Sequence, residues 1–378
     1  MFMNDQTANQ PVVLCLCQED NHRKLIPPYA SAFRDTGVKF RTVELPKSFD
    51  EPLGAILERL SETPSWIFHF ESDFPLLPQG IEASKIPTMT FQVDTYSIPK
   101  RRAHWSALFD HVAVFHPGYD QLFQDLGHPG AFLHPHAVRR ELFEGPDLER
   151  EFEIGWVGQS GGPLYRRRAF WLPRLAASFQ MNDWKRRHSL EEVACIYRRS
   201  RVVVNFGRDD FPQDANMRVF EVLASGALLV TSLPSELTEL GFIEGEHFAG
   251  YHEDQELPMV IRRYLDDEDL RKHIAEAGRV KALSEHTYHN RAQVVLSRLA
   301  KSGACKLAPA AKWAEPHVRL SYLDFFDSHG QVDLAVSEFR HIAGHGFHET
   351  IKGAALLGKG RLRRARATVK SKLQRIRG

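Results

Sequence analysis

Glu221 stands where a carboxylate is costly. Its neighbours Val219, Phe220, Val222 and Leu223 are apolar, so a helix packing them on a sheet carries the charge close to the apolar boundary. A charge there needs a partner. Either a ligand hydroxyl donates to it, or a local arginine such as Arg218 pairs with it. Asn216 precedes the run as an N-cap residue, Gly226 follows as a helix stop, and Ala227-Leu228-Leu229-Val230 reads as a buried strand. The helix start at Asn216, Met217 and Arg218 offers free N–H groups and the positive end of the dipole, which suit a phosphate. A second constellation is Gly158-Gln159-Ser160-Gly161-Gly162-Pro163, between a strand and a helix. There a glycine loop lets backbone N–H groups approach a diphosphate; a plain flexible turn is the alternative. Arg166, Arg167 and Arg168 open the next helix, where three cations oppose the dipole. An anion would compensate them, and a solvated surface run is the other reading. Only one can point at a given ligand, because consecutive helical residues splay about 100° apart. Arg208, just past an apolar strand, is an independent cation.

These residues must be held by alternating strands and helices. Pro11–Cys17, Val38–Val43, Trp66–Phe70, Pro87–Val93, His111–Phe115 and Ala131–Leu133 read as strands, with helices at Tyr29–Thr36, Glu51–Leu60 and Tyr119–Leu126. After the polar stretch Arg139–Arg150, which contains Gly145-Pro146, the pattern restarts. Strands are expected at Phe152–Val157, Arg201–Phe206, Ala227–Val230 and His247–Tyr251. Helices are expected at Tyr165–Ala177, Leu190–Ser200, Leu257–Leu265, Glu268–Leu283 and Asn290–Leu299. The fold class is therefore α/β, with two Rossmann-like doubly wound domains facing a cleft and a mainly helical C-terminal extension. The expected divisions are 1–142, 151–300 and 301–378, and chemistry is expected in the loops past the strands' carboxyl ends.

The pattern from Asn216 to Thr231, Asn-Met-Arg-x-Phe-Glu-x-x-Ala-x-Gly-Ala-x-x-x-Thr, resembles the donor-site segment of the spore-maturation-protein-CgeB-like glycosyltransferases. These are a branch of the two-Rossmann-domain (GT-B) sugar transferases. The resemblance runs loosely through residues 106 to 300 and fades toward both ends. It includes Phe109-Asp110-His111-Val112-Ala113-Val114, Ile154-Gly155-Trp156-Val157-Gly158 and Ile196-Tyr197-Arg198-Arg199-Ser200. It implies that Glu221 holds the ribose of a nucleotide-sugar donor; Gly158, Ser160, Gly161, Arg166, Arg208, Asn216, Met217 and Arg218 are the candidates to border that donor. Gln213 stands where a retaining pattern carries the first of two glutamates. The resemblance puts the acceptor, and any general base, in the first half. An inverting transfer needs a carboxylate or histidine to take the acceptor's hydroxyl proton. Asp94, past the Pro87–Val93 strand, resembles an aspartate that family members carry there, and His116 is the second candidate. His69, Glu71 and Asp73 follow another strand end, and a strand-end histidine also serves as a hydrogen-bonded structural residue. The implied activity is transfer of a sugar from a nucleotide diphosphate donor to a hydroxyl of a glycan, glycolipid or protein. No tightly bound cofactor or metal is expected. A non-catalytic nucleotide-sugar or glycan binder, and an epimerase or hydrolase, remain alternatives on the same fold.

Composition narrows the classes. A chain of 378 residues with 43% hydrophobic content supports two cores, and no apolar run approaches the roughly 18 residues of a membrane span. The N-terminus lacks a basic start followed by an apolar segment, so a cytoplasmic location is expected. Cys15 and Cys17 alternate on an apolar strand and read as buried thiols. Asp267-Glu268-Asp269 is the nearest approach to a cation-binding Asp-x-Asp, but it starts a helix and fits capping better. Sequence signatures of NTPases, serine hydrolases and zincins are absent. Net charge is +1, yet residues 352–378 carry ten basic and no acidic side chains. With Leu362, Ala365, Val369, Leu373 and Ile376 at helical spacing, this tail reads as a basic amphipathic helix. It would suit an anionic membrane face, docking on the acidic body of the protein, or disorder. No nucleic-acid-binding module accompanies it, and no nucleic-acid partner is expected.

Overall fold

Val12-Val13-Leu14-Cys15-Leu16-Cys17 is apolar at every position, the pattern of a strand buried on both faces. In the computed structural model it forms β1 at the centre of a parallel sheet, and both thiols are buried and free. The structure describes residues 10–17, 26–45, 51–71, 77–302, 315–343, 352–355 and 357–358. They divide into two units, 1–133 with 296–378, and 134–295.

In the first unit, β1 (Val12–Cys17), β2 (Lys39–Glu44), β3 (Trp66–Phe70), β4 (Thr88–Gln92), β5 (His111–Val114) and β6 (Ala131–Leu133) form a sheet ordered β2-β1-β3-β4-β5-β6. All the pairings are parallel. Helices α1 (Ile26–Asp35), α2 (Leu53–Glu58), α3 (Pro99–Ser106) and α4 (Tyr119–Asp125) join the strands. Helix α3 is not anticipated from the sequence, because Lys100-Arg101-Arg102 interrupts any apolar stripe.

In the second unit, β7 (Phe152–Gly155), β8 (Ser200–Asn205), β9 (Leu228–Ser232) and β10 (Ala249–Tyr251) form a parallel sheet ordered β10-β9-β8-β7. Helices α5 (Arg166–Ser178), α6 (Leu190–Arg198), α7 (Met217–Ala224), α8 (Glu236–Glu239), α9 (Leu257–Asp266) and α10 (Glu268–Glu285) surround it. Asp267 accepts a hydrogen bond from the Leu270 N–H at 3.0 Å, capping α10 as its sequence implied. Beyond β7, Met181 makes a parallel bridge to Ile154. The chain therefore leaves β7 toward Met181 on one side and returns through α6 to β8 on the other. That reversal is a topological switch point, where the loop after β7 opens a crevice.

The C-terminal region is helical, as expected, and its described helices pack in the first unit. The chain re-enters the first unit within α11 (Tyr288–Ser302), followed by α12 (Glu315–Ser328) and α13 (Val332–Ala343). Tyr322, Phe325 and Phe326 of α12 join Leu14, Leu16, Trp105 and Phe109 in one core. The Tyr322 hydroxyl accepts from the Gly80 N–H at 2.9 Å, and Arg101 of α3 pairs with Asp324 and Asp327. The stretch 139–142 lies in the second of the two units. Among the described residues no helix is long and apolar enough to cross a membrane. Most of the basic tail, residues 359–378, lies outside the described residues.

Candidate functional site

The apolar run around Glu221 becomes α7. Its buried face is Val219, Phe220, Val222 and Leu223, and Gly226 at φ 69° accepts the left-handed turn that stops it. Asn216 holds the N-cap position with extended dihedrals, but its side chain does not cap the helix. Its Nδ2 turns instead to Asn205 Oδ1 at 3.5 Å and the Asp214 carbonyl at 3.4 Å. The expected side-chain cap is thus corrected. Asn216 Oδ1 is buried with no hydrogen-bond partner among the described residues. A buried polar atom without a partner carries a desolvation cost that a donor from a ligand removes.

One turn into α7, Glu221 is half-buried, and its carboxylate makes no hydrogen bond or ion pair among the described residues. Burial pushes its pKa up to about 7, against the opposing charges of Arg218 and Arg139. The local-pairing alternative is therefore not realised: Arg218 acts at a distance and turns elsewhere. Its Nη1 donates to Asn205 Oδ1 at 3.1 Å, and its guanidinium lies 6.0 Å over the Trp156 ring. A Cβ at Gly158 would lie 2.7 Å from Arg218 Nη2. The absence of a side chain at Gly158, where φ is 147°, is what admits the guanidinium. The glycine loop and the α7 motif, about sixty residues apart in sequence, thus converge on one charged group.

The rest of the loop is open. Ser160 is half-buried, and a Cβ at Gly161 would meet nothing within 4 Å. Of the three arginines opening α5, Arg168 points inward. It is 5% exposed and donates to the carbonyls of Phe206 at 3.1 and 2.6 Å and of Gln159 at 3.0 Å. It ties the loop after β7 to the loop after β8. Burial, with Arg218 nearby, lowers its pKa to about 10. Arg166, the sequence candidate, has a side chain 83% exposed beside Asp209, and Arg167 pairs with Asp254. Arg208 is held by Asp210 through two bonds of 3.0 and 2.9 Å. Neither Arg166 nor Arg208 joins the Gly158–Arg218 contact.

Three positioning residues escape sequence reading. Asn205, fully buried at the end of β8, orients Arg218. Asn182 accepts from the Trp156 N–H at 2.9 Å and donates to its carbonyl at 3.0 Å, fixing the start of the loop. Glu236 accepts from the Ala215 N–H at 2.9 Å just before α7. Asn205 left a signal in Val-Val-Val-Asn, where a polar residue ends an apolar strand. The other two depend on contacts more than twenty residues away and left none.

In the first unit, Asp94 and His116 follow β4 and β5, which pair so that Gln92 faces Val114. Asp94 is exposed, and its carboxylate makes no hydrogen bond or ion pair among the described residues. His116 is 1% exposed, edge-on to Tyr96 with ring centroids 5.1 Å apart. Between β3 and β4, His69 Nδ1 lies 2.9 Å from Thr90 Oγ1, and Glu71 pairs with Arg102. Asp73 lies outside the described residues.

Residues 157–297 match a protein family described as glycosyl transferase-like. No curated protein matches the chain. Solved structures match over most of its length. HepE from Anabaena, solved with UDP and glucose, is 12% identical, covers 77% of this chain and 100% of its own, and has a TM-score of 0.53. A glycosyltransferase from Rickettsia africae is 10% identical, with coverage of 78% and 98% and a TM-score of 0.56. Sucrose-phosphate synthase from Thermosynechococcus elongatus is 12% identical, with coverage of 77% and 98% and a TM-score of 0.52. The fold is that of these two-domain proteins, GT-B with two Rossmann-like sheets, and the second unit carries a glycosyltransferase-like domain.

Proposed function

We propose that the chain is a glycosyltransferase of the CgeB-like branch, moving a sugar from a nucleoside diphosphate donor to an acceptor hydroxyl without a metal. The observation that carries this reading is the convergence of Gly158 and Arg218 beside the uncapped start of α7, with Glu221 unpaired one turn further. The diphosphate meets the Arg218 guanidinium and the N–H groups of the α7 start and the glycine loop, which stabilise the leaving group as charge develops. Glu221 accepts hydrogen bonds from ribose hydroxyls, which supply the partner it lacks. Asn216 Oδ1 accepts a further donor, and Ser160 and Gly161 border the donor from the loop. Solved relatives in complex with UDP and with UDP-glucose support this class of donor.

The first unit takes the acceptor, a glycolipid or cell-surface glycan. Asp94 removes the hydroxyl proton as the oxygen attacks the anomeric carbon. His116, buried against Tyr96, is the second candidate. The basic segment 352–378 holds the protein against the anionic inner face of the membrane, each basic residue near the surface contributing about 1 kcal/mol. Deleting residues 360–378 should abolish sedimentation with anionic vesicles, and retained sedimentation would end this part of the reading.

A panel of UDP, GDP and dTDP sugars tests the whole. The protein should melt higher with one nucleotide class and form a glycosylated product in EDTA. Release of free sugar alone would identify a hydrolase. Stabilisation without turnover across acceptors would identify a binder.

A further inference from the structure

The stretch that reads as a linker walls a cavity at the opposite edge of the second unit's sheet. The cavity holds about 670 Å³. Four segments enclose it: the chain from Phe143 to Arg150, the α6–β8 corner, the end of α7 at Ala224-Ser225-Gly226, and one face of α10. It lies where β7, β8 and β9 begin, whereas Gly158, Asn205 and Arg218 lie past their carboxyl ends. Six cationic side chains line it, Arg150, Arg198, Arg201, Arg271, Lys272 and Arg279, against the carboxylates of Asp147 and Glu276.

The cations are built in by different means. Arg150 donates to the carbonyls of Tyr197, Ser200, Ser225 and Gly226, at 2.9 to 3.3 Å, so its guanidinium is fixed by backbone carbonyls, with Asp147 the nearby opposing charge. Arg271 is 5% exposed and donates to the Tyr264 carbonyl at 3.2 Å. Arg279 pairs with Glu276, and Lys272 with Glu268. Arg201 is exposed and makes no hydrogen bond or ion pair among the described residues. Burial disfavours the charged forms of Arg150 and Arg271; Asp147 and Glu268 oppose this, and neighbouring cations add to the burial effect more weakly. Such a concentration of like charge is costly, and an anion relieves it.

We propose that this cavity binds a small anion carrying two or more phosphate groups, at a site separate from the donor site. Enclosure by four segments suits a small molecule rather than a flat membrane face or a nucleic-acid backbone. The charge excess matches a di- or triphosphate. Helix α7 ends at this cavity and carries Glu221 toward its other end, so one helix touches both sites.

Calorimetric titration of the full chain with inorganic tripolyphosphate, at fixed ionic strength, tests the proposal. Arg201→Glu combined with Lys272→Glu, both at exposed positions, should weaken binding about tenfold or more. Lys185→Glu combined with Arg187→Glu changes the net charge equally but lies away from the cavity, and should leave affinity within about twofold. Arg218→Ala should also leave it within about twofold. Unchanged affinity in the cavity pair overturns the proposal, as does an equal loss in the control pair, which would mean general charge attraction. Loss of all binding in Arg218→Ala would put the anion at the donor edge. Thermal melts of each variant separate loss of binding from loss of fold.

Discussion

Glu221 carries a charge that the protein itself does not use. Its carboxyl titrates near 7 when folded, and near 4.3 when unfolded, so between those values the folded state binds more protons. Stability contributed at this position is therefore present at low pH and lost as pH rises through about 7. Glu221→Gln should be the more stable protein at pH 8, by on the order of 2 kcal/mol, with the difference vanishing near pH 4. Denaturant melts across that range check it. Ribose hydroxyls favour the ionised form, so nucleotide affinity should rise between pH 6 and 8 in the wild type and stay flat in Glu221→Gln. Gly158→Ala makes a different point. A Cβ there meets Arg218, so nucleotide affinity should fall about tenfold, and the melting temperature should fall as well because φ 147° strains any side chain. A misplaced carboxylate and a glycine after a strand are visible in sequence. The turn of Arg218 away from Glu221 and toward Asn205 is not, because it depends on where β8 ends.

Elements were legible where one periodicity dominated. β3 and β6 match their sequence reading residue for residue, since short, mostly apolar runs bounded by turn residues leave one solution. Helix α3 was missed because its buried face is Ala103, Trp105 and Ser106 and its Arg101 is answered from α12 by Asp324 and Asp327. That partnership makes α12 part of the first unit's core. Phe325→Ala should cost about 3 to 5 kcal/mol of that unit's stability, as large-to-small core substitutions do, measurable by chemical denaturation. A change below about 1 kcal/mol would mean that α12 is a peripheral attachment. In the second unit, Arg168 joins two loops through carbonyls alone. Arg168→Ala should destabilise that unit and loosen both loops, read as faster amide exchange at Gln159 and Phe206.

At the scale of the whole molecule, two α/β units were foreseeable from alternating strands and helices that restart after Arg139–Arg150. The packing of α12 and α13 in the first unit was not, because a helix's apolar face shows that it is buried and not against what. The Met181 bridge that makes β7 a switch point was equally hidden, being one residue long. Yet it puts the Gly158 loop at the crevice where open parallel sheets bind ligands. This crevice, with α7, is the proposed seat of the nucleotide of a sugar donor. Calorimetric titration with UDP-glucose, and with whichever nucleotide sugar stabilises the protein most, should show one site in the wild type. Glu221→Ala should weaken it at least about tenfold at pH 8, while Arg201→Glu with Lys272→Glu leaves it unchanged. Equal affinity in the wild type and Glu221→Ala would contradict the assignment of the donor to this site.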